Sequence, residues 1–233
     1  MSRHGNRVVG IAFLLVSPGS LAASAEVVAS ETVGETLVII RHGEKPADGL
    51  GQLSCQGLNR SLALPRVLAA KFGKPDFIFA PDPSQQTTDK GNLYNYLRPL
   101  ATIEPTAIQL GLPVNTQFGF RDVDNLRQEL TQTKYEGALV FVAWEHSLLV
   151  KLVKDLVAQG GAAPSQVPEW EHEDFDSIYV VKLTHVDGRL SVSFTRDKED
   201  LNNQSPNCPQ AILPFRTRIV AHHGHRILNR YPR

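Results

Sequence analysis

Arg41, His42 and Gly43 stand together at the carboxyl end of the apolar run Thr36-Leu37-Val38-Ile39-Ile40. An arginine grips a phosphate with two parallel N–H bonds. A neutral imidazole is a nucleophile toward phosphorus, and a glycine beside it lets backbone and substrate approach closely. Glu145-His146 follows a second apolar run, Ala138 to Trp144, in the same way. Open α/β sheets hold their ligands beyond the carboxyl ends of parallel strands, so two strands that each end in a histidine bring both imidazoles to one crevice. A transferring phosphoryl group spreads negative charge over three oxygens and needs more than one cation. Arg98 is the candidate for a second.

Such a site needs a sheet whose strands all start from one end. Between the two apolar runs the sequence alternates. Ser54 is placed to cap a helix with Leu58, Leu62, Val67, Leu68 and Phe72 as its buried stripe, and Pro65 is expected to kink or restart it. Asp76 to Ala80 reads as a strand, Pro81 to Asn92 as a polar stretch without period, and Tyr94 to Leu110 as a helix ended by Gly111. A short strand at Pro113–Asn115, a helix over Asp122–Lys134 and another over Ser147–Ala158 follow. Two β-rich runs then flank Val186-Asp187-Gly188, a hairpin signal. The expected fold is a three-layer α/β/α sandwich, its central sheet mostly parallel with an antiparallel edge hairpin.

The chain has 233 residues. It opens with a short basic stretch, an apolar run from Val8 to Val16 and the small-residue pattern Ala23-Ser24-Ala25, the three parts of a secretory signal peptide over residues 1–25. Residues 26–35 then form a polar lead-in, and 36–233 one domain with a basic C-terminal tail. The mature chain is expected to be periplasmic or secreted, starting near Glu26. Removing Arg3 and Arg7 lowers Lys+Arg from 24 to 22 against 24 Asp+Glu, a net charge of about −2. That gives no electrostatic case for nucleic acid or an anionic membrane. Cys55 and Cys208 either pair in an oxidising compartment or remain separate thiols. His222-His223-Gly224-His225 reads as part of a solvated basic tail rather than a metal site.

The residues singled out above resemble the motifs of the histidine phosphatase superfamily, which holds phosphoglycerate mutases, acid phosphatases and phytases. Leu37 to Gly43 is similar to its strand and Arg-His-Gly signature. Leu53-Ser54-Cys55-Gln56-Gly57 resembles its Leu-Thr-x-x-Gly helix opening, and Arg98-Pro99-Leu100-Ala101-Thr102 with Pro105 its second-arginine segment. Trp144-Glu145-His146-Ser147 stands where the family carries its second histidine. The likeness runs from about residue 36 to 197. It implies a phosphoglycerate mutase-like fold and hydrolysis of a small phosphomonoester through a phosphohistidine on His42, with no cofactor and no metal. Arg41, Arg98 and His146 would hold the phosphoryl oxygens, and Lys45 stands where some members carry a further arginine. Two nearby arginines also favour the uncharged imidazole of His42.

The proton donor to the leaving group departs from the family pattern, since Ser147 follows His146 where phytases carry an aspartate. Glu145, Asp122 and Asp124 are the candidates. Glu145 has a second possible role as a carboxylate favouring a helix N-terminus. Two other functions fit the same pocket: a phospho-ligand binder without turnover, and a mutase-type phosphotransferase. An exported location weighs against the latter. Substrate choice is assigned to Pro81–Asn92 and Gly119–Asp124, and oligomeric state is not readable.

Overall fold

A β-branched run with no polar alternation must be covered on both faces. In the computed structural model, which describes residues 34–186 and 188–210, Thr36–Ile40 lies inside strand β1 (Glu35–Arg41) at the middle of a sheet. In chain order there follow α1 (Cys55–Phe72), β2 (Phe77–Phe79), β3 (Gln86–Asp89), β4 (Asn92–Asn95), α2 (Arg98–Leu110), β5 (Val114–Asn115), α3 (Val123–Leu130), β6 (Leu139–Trp144), α4 (His146–Gln159), β7 (Ser177–Val186) and β8 (Arg189–Lys198). The sheet order is β5-β2-β6-β1-β7-β8. β1, β6, β2 and β5 are parallel, and the β7–β8 hairpin adds to the other side of β1 antiparallel.

Alternate residues of β1 enter two separate cores. Leu37 and Ile39 pack with Leu126, Leu130, Leu149 and Val153 of α3 and α4. Val38 and Ile40 pack with Leu64, Leu68 and Ile103 of α1 and α2 on the opposite face. The result is helix, sheet, helix: the three-layer arrangement expected, with its antiparallel edge hairpin.

Several local expectations are corrected. α1 runs on through Pro65 without restarting there. Its buried face is Gly57, Arg60, Ser61, Leu64, Pro65 and Leu68, while Leu58 and Leu62 are exposed. The face rotated because Arg60 is drawn inward by carboxylates from three other segments, which an apolar-stripe reading counts as a surface residue. The periodless stretch contains β3 and the turn into β4, made at Lys90 and Gly91, both with positive φ (48° and 83°). Tyr94 and Asn95 belong to β4, so α2 starts only at Arg98, with Pro99 in its first turn. α3 ends at Leu130, and a separate 3₁₀ turn covers Thr133–Tyr135.

Cys55 and Cys208 are disulfide-bonded, their Cα atoms 4.5 Å apart. The bond fastens the segment after β8 to the first turn of α1. Asn59 reinforces it by donating to the carbonyl oxygens of Ser205 and Asn207, each at 2.8 Å. The expected signal peptide, the basic tail with its His222–His225 cluster, and Asp187 of the hairpin signal lie outside the described residues. Among the described residues no helix is long and apolar enough to cross a membrane.

Candidate active site

β1 and β6 end in step. Arg41 pairs with Trp144 across the ladder, and the His42 N–H donates to the Trp144 carbonyl oxygen at 3.0 Å. Two residues further along each strand's exit, the chain enters the loop after Gly43 on one side and α4 on the other. The structure brings Arg41, His42, Lys45, Arg98, Glu145 and His146 to the walls of one cavity of about 520 Å³. Asp122 and Asp124 are not among its lining residues.

The His42 ring is buried, 3% exposed, with Tyr96 edge-on at 6.0 Å between ring centroids. Nδ1 lies 2.8 Å from the Gly43 carbonyl oxygen, which can only accept. The proton therefore belongs on Nδ1, and the Nε2 lone pair is left free. Burial first, and the Arg98 and Arg41 guanidinium groups after it, push the imidazole down to about 3. Burial outweighs the arginines that the sequence pointed to. Either way the ring is neutral, as a nucleophile must be.

The loop bearing His42 is held by close backbone packing. A Cβ on Gly43 would come within 3.1 Å of Gly57 Cα, and one on Gly57 would collide with the Glu44 carbonyl oxygen. Glycine at the α1 opening is thus needed for the loop to pass. Ser54 Oγ caps α1 by accepting from the Gly57 N–H at 3.1 Å. Gly43 N–H donates to Thr102 Oγ1 at 2.9 Å, and that hydroxyl donates to the Arg98 carbonyl oxygen at 2.8 Å. The buried Thr102 therefore couples the histidine loop to the turn of α2 that presents Arg98.

The two arginines are fixed differently. Arg41 Nη1 donates to the carbonyl oxygens of His172 (2.6 Å), Asp174 (2.9 Å) and Glu171 (3.4 Å), and its guanidinium lies 4.0 Å above the Phe175 ring. Arg98 Nη1 donates to Asp89 Oδ2 at 2.5 Å and stands 4.8 Å from the Tyr96 ring. Asp89 also accepts from Gly51 N–H at 3.1 Å, and Lys45 Nζ lies 3.9 Å from its other oxygen. Burial would raise the Asp89 carboxyl, but Arg98 and these neighbours hold it low. Arg41 and Arg98 each keep a buried Nε–H with no protein partner among the described residues.

Glu145 is the N-cap of α4: Oε2 accepts from Leu148 N–H at 2.9 Å. Oε1 lies 2.6 Å from His146 Nδ1. Burial alone would raise this carboxyl; His146 and the helix N–H groups overcome that and hold it at about 2. A group ionised down to that pH has no proton to give. Glu145 therefore fits the helix-capping role rather than the acid. Asp124 is exposed and paired with Lys151 at 2.6 Å, and Asp122 accepts from Asn125 Nδ2 at 2.7 Å. None of the three candidates is arranged as a proton donor.

The sequence reading missed His172 and Phe175, and reached Asp89 and Arg121 only as members of the two stretches assigned to substrate choice. Arg121 lies on the cavity wall, its guanidinium 5.0 Å from the Phe120 ring. A signal for the 171–175 loop existed: a hairpin strand placed antiparallel beside β1 must begin where β1 ends.

The arrangement is a buried neutral imidazole among cations at the carboxyl edge of a mostly parallel sheet. No family model matches the chain, and no curated protein matches it. Among solved structures it is similar to a candidate phosphohistidine phosphatase SixA from Nakamurella multipartitia (17% identity, TM-score 0.48, covering 70% of this chain and 95% of that one). It is also similar to a mycobacterial glucosyl-3-phosphoglycerate phosphatase (14%, 0.47, 69% and 97%). A candidate alpha-ribazole-5'-P phosphatase from Escherichia coli gives 12% identity and a TM-score of 0.46, with coverage of 76% and 99%.

Proposed function

We propose that this chain is a histidine phosphatase that hydrolyses a small phosphomonoester through a phosphohistidine on His42, without a metal. One observation carries the reading: His42 is buried and neutral, its Nδ1 proton is tied to the Gly43 carbonyl oxygen, and its ring shares a cavity with Arg41, Arg98 and His146. Nε2 attacks phosphorus, the ester P–O bond breaks, and the guanidinium groups stabilise the charge in transit. Water then attacks the phosphohistidine, and the P–N electrons return to Nε2. Lys45, with 36% of its side chain exposed at the cavity mouth, adds positive charge at the rim.

Incubating the protein with p-nitrophenyl phosphate tests this. Turnover should persist in the presence of a chelator and vanish in His42→Ala, and acid-labile, base-stable phosphate should be trapped on the wild-type chain. Phosphate binding with no turnover would favour the binder instead, a reading that gains from Glu145 being ionised. Export is part of the proposal. The Cys55–Cys208 disulfide supports an oxidising compartment, and N-terminal sequencing of the exported protein should begin near Glu26.

A further inference from the structure

We infer that His172 is the proton donor to the leaving group, an assignment that rests on the phosphatase reading above. A second cavity of about 640 Å³ adjoins the phosphoryl site. The two share Lys45, Thr88, Asp89 and His172 on their walls. Beyond that shared rim the second cavity is bordered by Ser54, Gln56, Lys90 and Phe175. In this proposal the alcohol of an ester whose phosphoryl group lies against His42 runs across this rim into the second cavity, past the residues common to both spaces.

Of those four, only His172 suits proton transfer. Asp89 is committed as a carboxylate to Arg98, Gly51 N–H and Lys45. Lysine holds its proton too firmly, and threonine is far too weak an acid. An imidazole gains and loses a proton near neutral pH. The side chain of His172 is 68% exposed, within reach of both an incoming ester and bulk water. Its ring lies 5.7 Å from that of His146 between centroids, and the Glu173 carboxylate is 3.9 Å from its Nε2.

The segment carrying it is built, not loose. Arg41 grips the His172 carbonyl oxygen at 2.6 Å. Asp174 accepts from the N–H groups of Asp176 (2.9 Å) and Ser177 (3.0 Å), and Trp170 Nε1 donates to the Asp174 carbonyl oxygen at 2.9 Å. The guanidinium beside the nucleophile thereby also sets the position of the loop with the acid.

The chemistry balances. As the P–Nε2 bond to His42 forms, the ester P–O bond breaks and its electrons go to the leaving oxygen, which takes the proton of the His172 imidazolium and departs as an alcohol. Neutral His172 then takes a proton from water as that oxygen attacks phosphorus. Cleavage of the P–N bond returns His42, inorganic phosphate and the His172 imidazolium.

Phenyl phosphate and p-nitrophenyl phosphate test this, being alike in shape while only the phenolate needs protonation to leave readily. His172→Gln should lower turnover of phenyl phosphate by about 10²-fold or more, the range of general acid catalysis, while nitrophenyl turnover stays within roughly 5-fold. Equal losses on the two esters, or none, would overturn the assignment. His42→Ala should abolish both. Activity surviving in that variant, or a wild-type protein inert toward both esters, overturns the phosphatase reading and the role of His172 with it.

Discussion

The His42 N–H and the Trp144 carbonyl oxygen, 3.0 Å apart, close the ladder between β1 and β6 one residue past its last paired rung. Both strands leave the sheet at the same level, so the histidine after each is delivered to the same edge. Arg41 and Arg98 arrive by other routes, one from the strand itself and one from the first turn of α2. Their guanidinium groups are anchored by protein oxygens, backbone carbonyls for Arg41 and a buried carboxylate for Arg98.

Arg98 is held by a buried carboxylate, so its role in structure and its role in phosphate binding are separable. Arg98→Ala should leave Asp89 buried beside Gly51 N–H with only Lys45 as a distant cation. A loss on the order of 2 kcal/mol of stability is expected, together with a fall in turnover of about 10²-fold. Adding Asp89→Asn should restore stability but not activity. Urea unfolding and initial rates on the four members of the cycle measure both; recovery of turnover in the double variant would show Arg98 to be merely a counterion.

Glu145 caps α4 and stands against His146. Glu145→Ala should cost about 1 kcal/mol through the lost cap. Glu145→Gln keeps an oxygen for Leu148 N–H and should recover most of that stability. Since a carboxyl held at about 2 donates no proton, Glu145→Gln should slow phenyl and p-nitrophenyl phosphate to the same degree. A loss confined to the phenyl ester would return Glu145 to the role of acid.

Gly57 allows the histidine loop to pass over α1. In Gly57→Ala the added methyl meets the Glu44 carbonyl oxygen, which is backbone and cannot swing aside. A loss of about 1–3 kcal/mol is expected from overpacking, with a larger proportional loss of turnover because the displaced segment carries His42. Gly73→Ala also costs stability, since Gly73 has a φ of 87° although its surroundings are open, but it lies at the far end of α1; kcat for the two variants separates loop displacement from loss of stability, and a Gly73→Ala variant as damaged in turnover as Gly57→Ala would refute the account.

The parallel strands and their terminal histidines were legible because burial on two faces leaves a continuous apolar signature, and β1 and β6 both carry it. The β3–β4 hairpin was not. Gln86, Thr87 and Thr88 face Asn95, Tyr94 and Leu93, pairs without an apolar face to mark a period. The only local sign was Lys90-Gly91 at its turn. Asp89 and the Arg60 cluster were equally hidden, since an ion pair between distant segments leaves no pattern in either segment alone. The proton donor was sought among carboxylates near the second histidine, whereas the groups crowding the cavity rim come from loops that the antiparallel β7 and the polar hairpin bring round from elsewhere.

Behind the loop, Arg60 binds Glu199 Oε2 at 2.6 Å and Glu44 Oε1 at 2.8 Å, with Asp176 at 3.5 Å. Three carboxylates share one guanidinium, and Glu199 Oε1 is buried with no partner among the described residues. Burial, eased by Arg60 and worsened by Asp176 and Glu44, pushes Glu199 up from 4.5 to about 8. A carboxyl raised in the folded state is protonated there while the unfolded chain has already ionised. Its contribution to stability is full below about 4.5 and is lost as the pH climbs through about 8. The melting temperature should therefore fall between pH 6 and 9, corresponding to on the order of 2 kcal/mol. Glu199→Gln, neutral at every pH, should flatten much of that decline; Glu35, also raised to about 8 by burial, should account for part of what remains. Because Glu44 follows the histidine loop and Asp176 precedes β7, the decline should be matched by loss of turnover on the alkaline side. A melting curve in Glu199→Gln as steep in pH as the wild type would place the titrating group elsewhere.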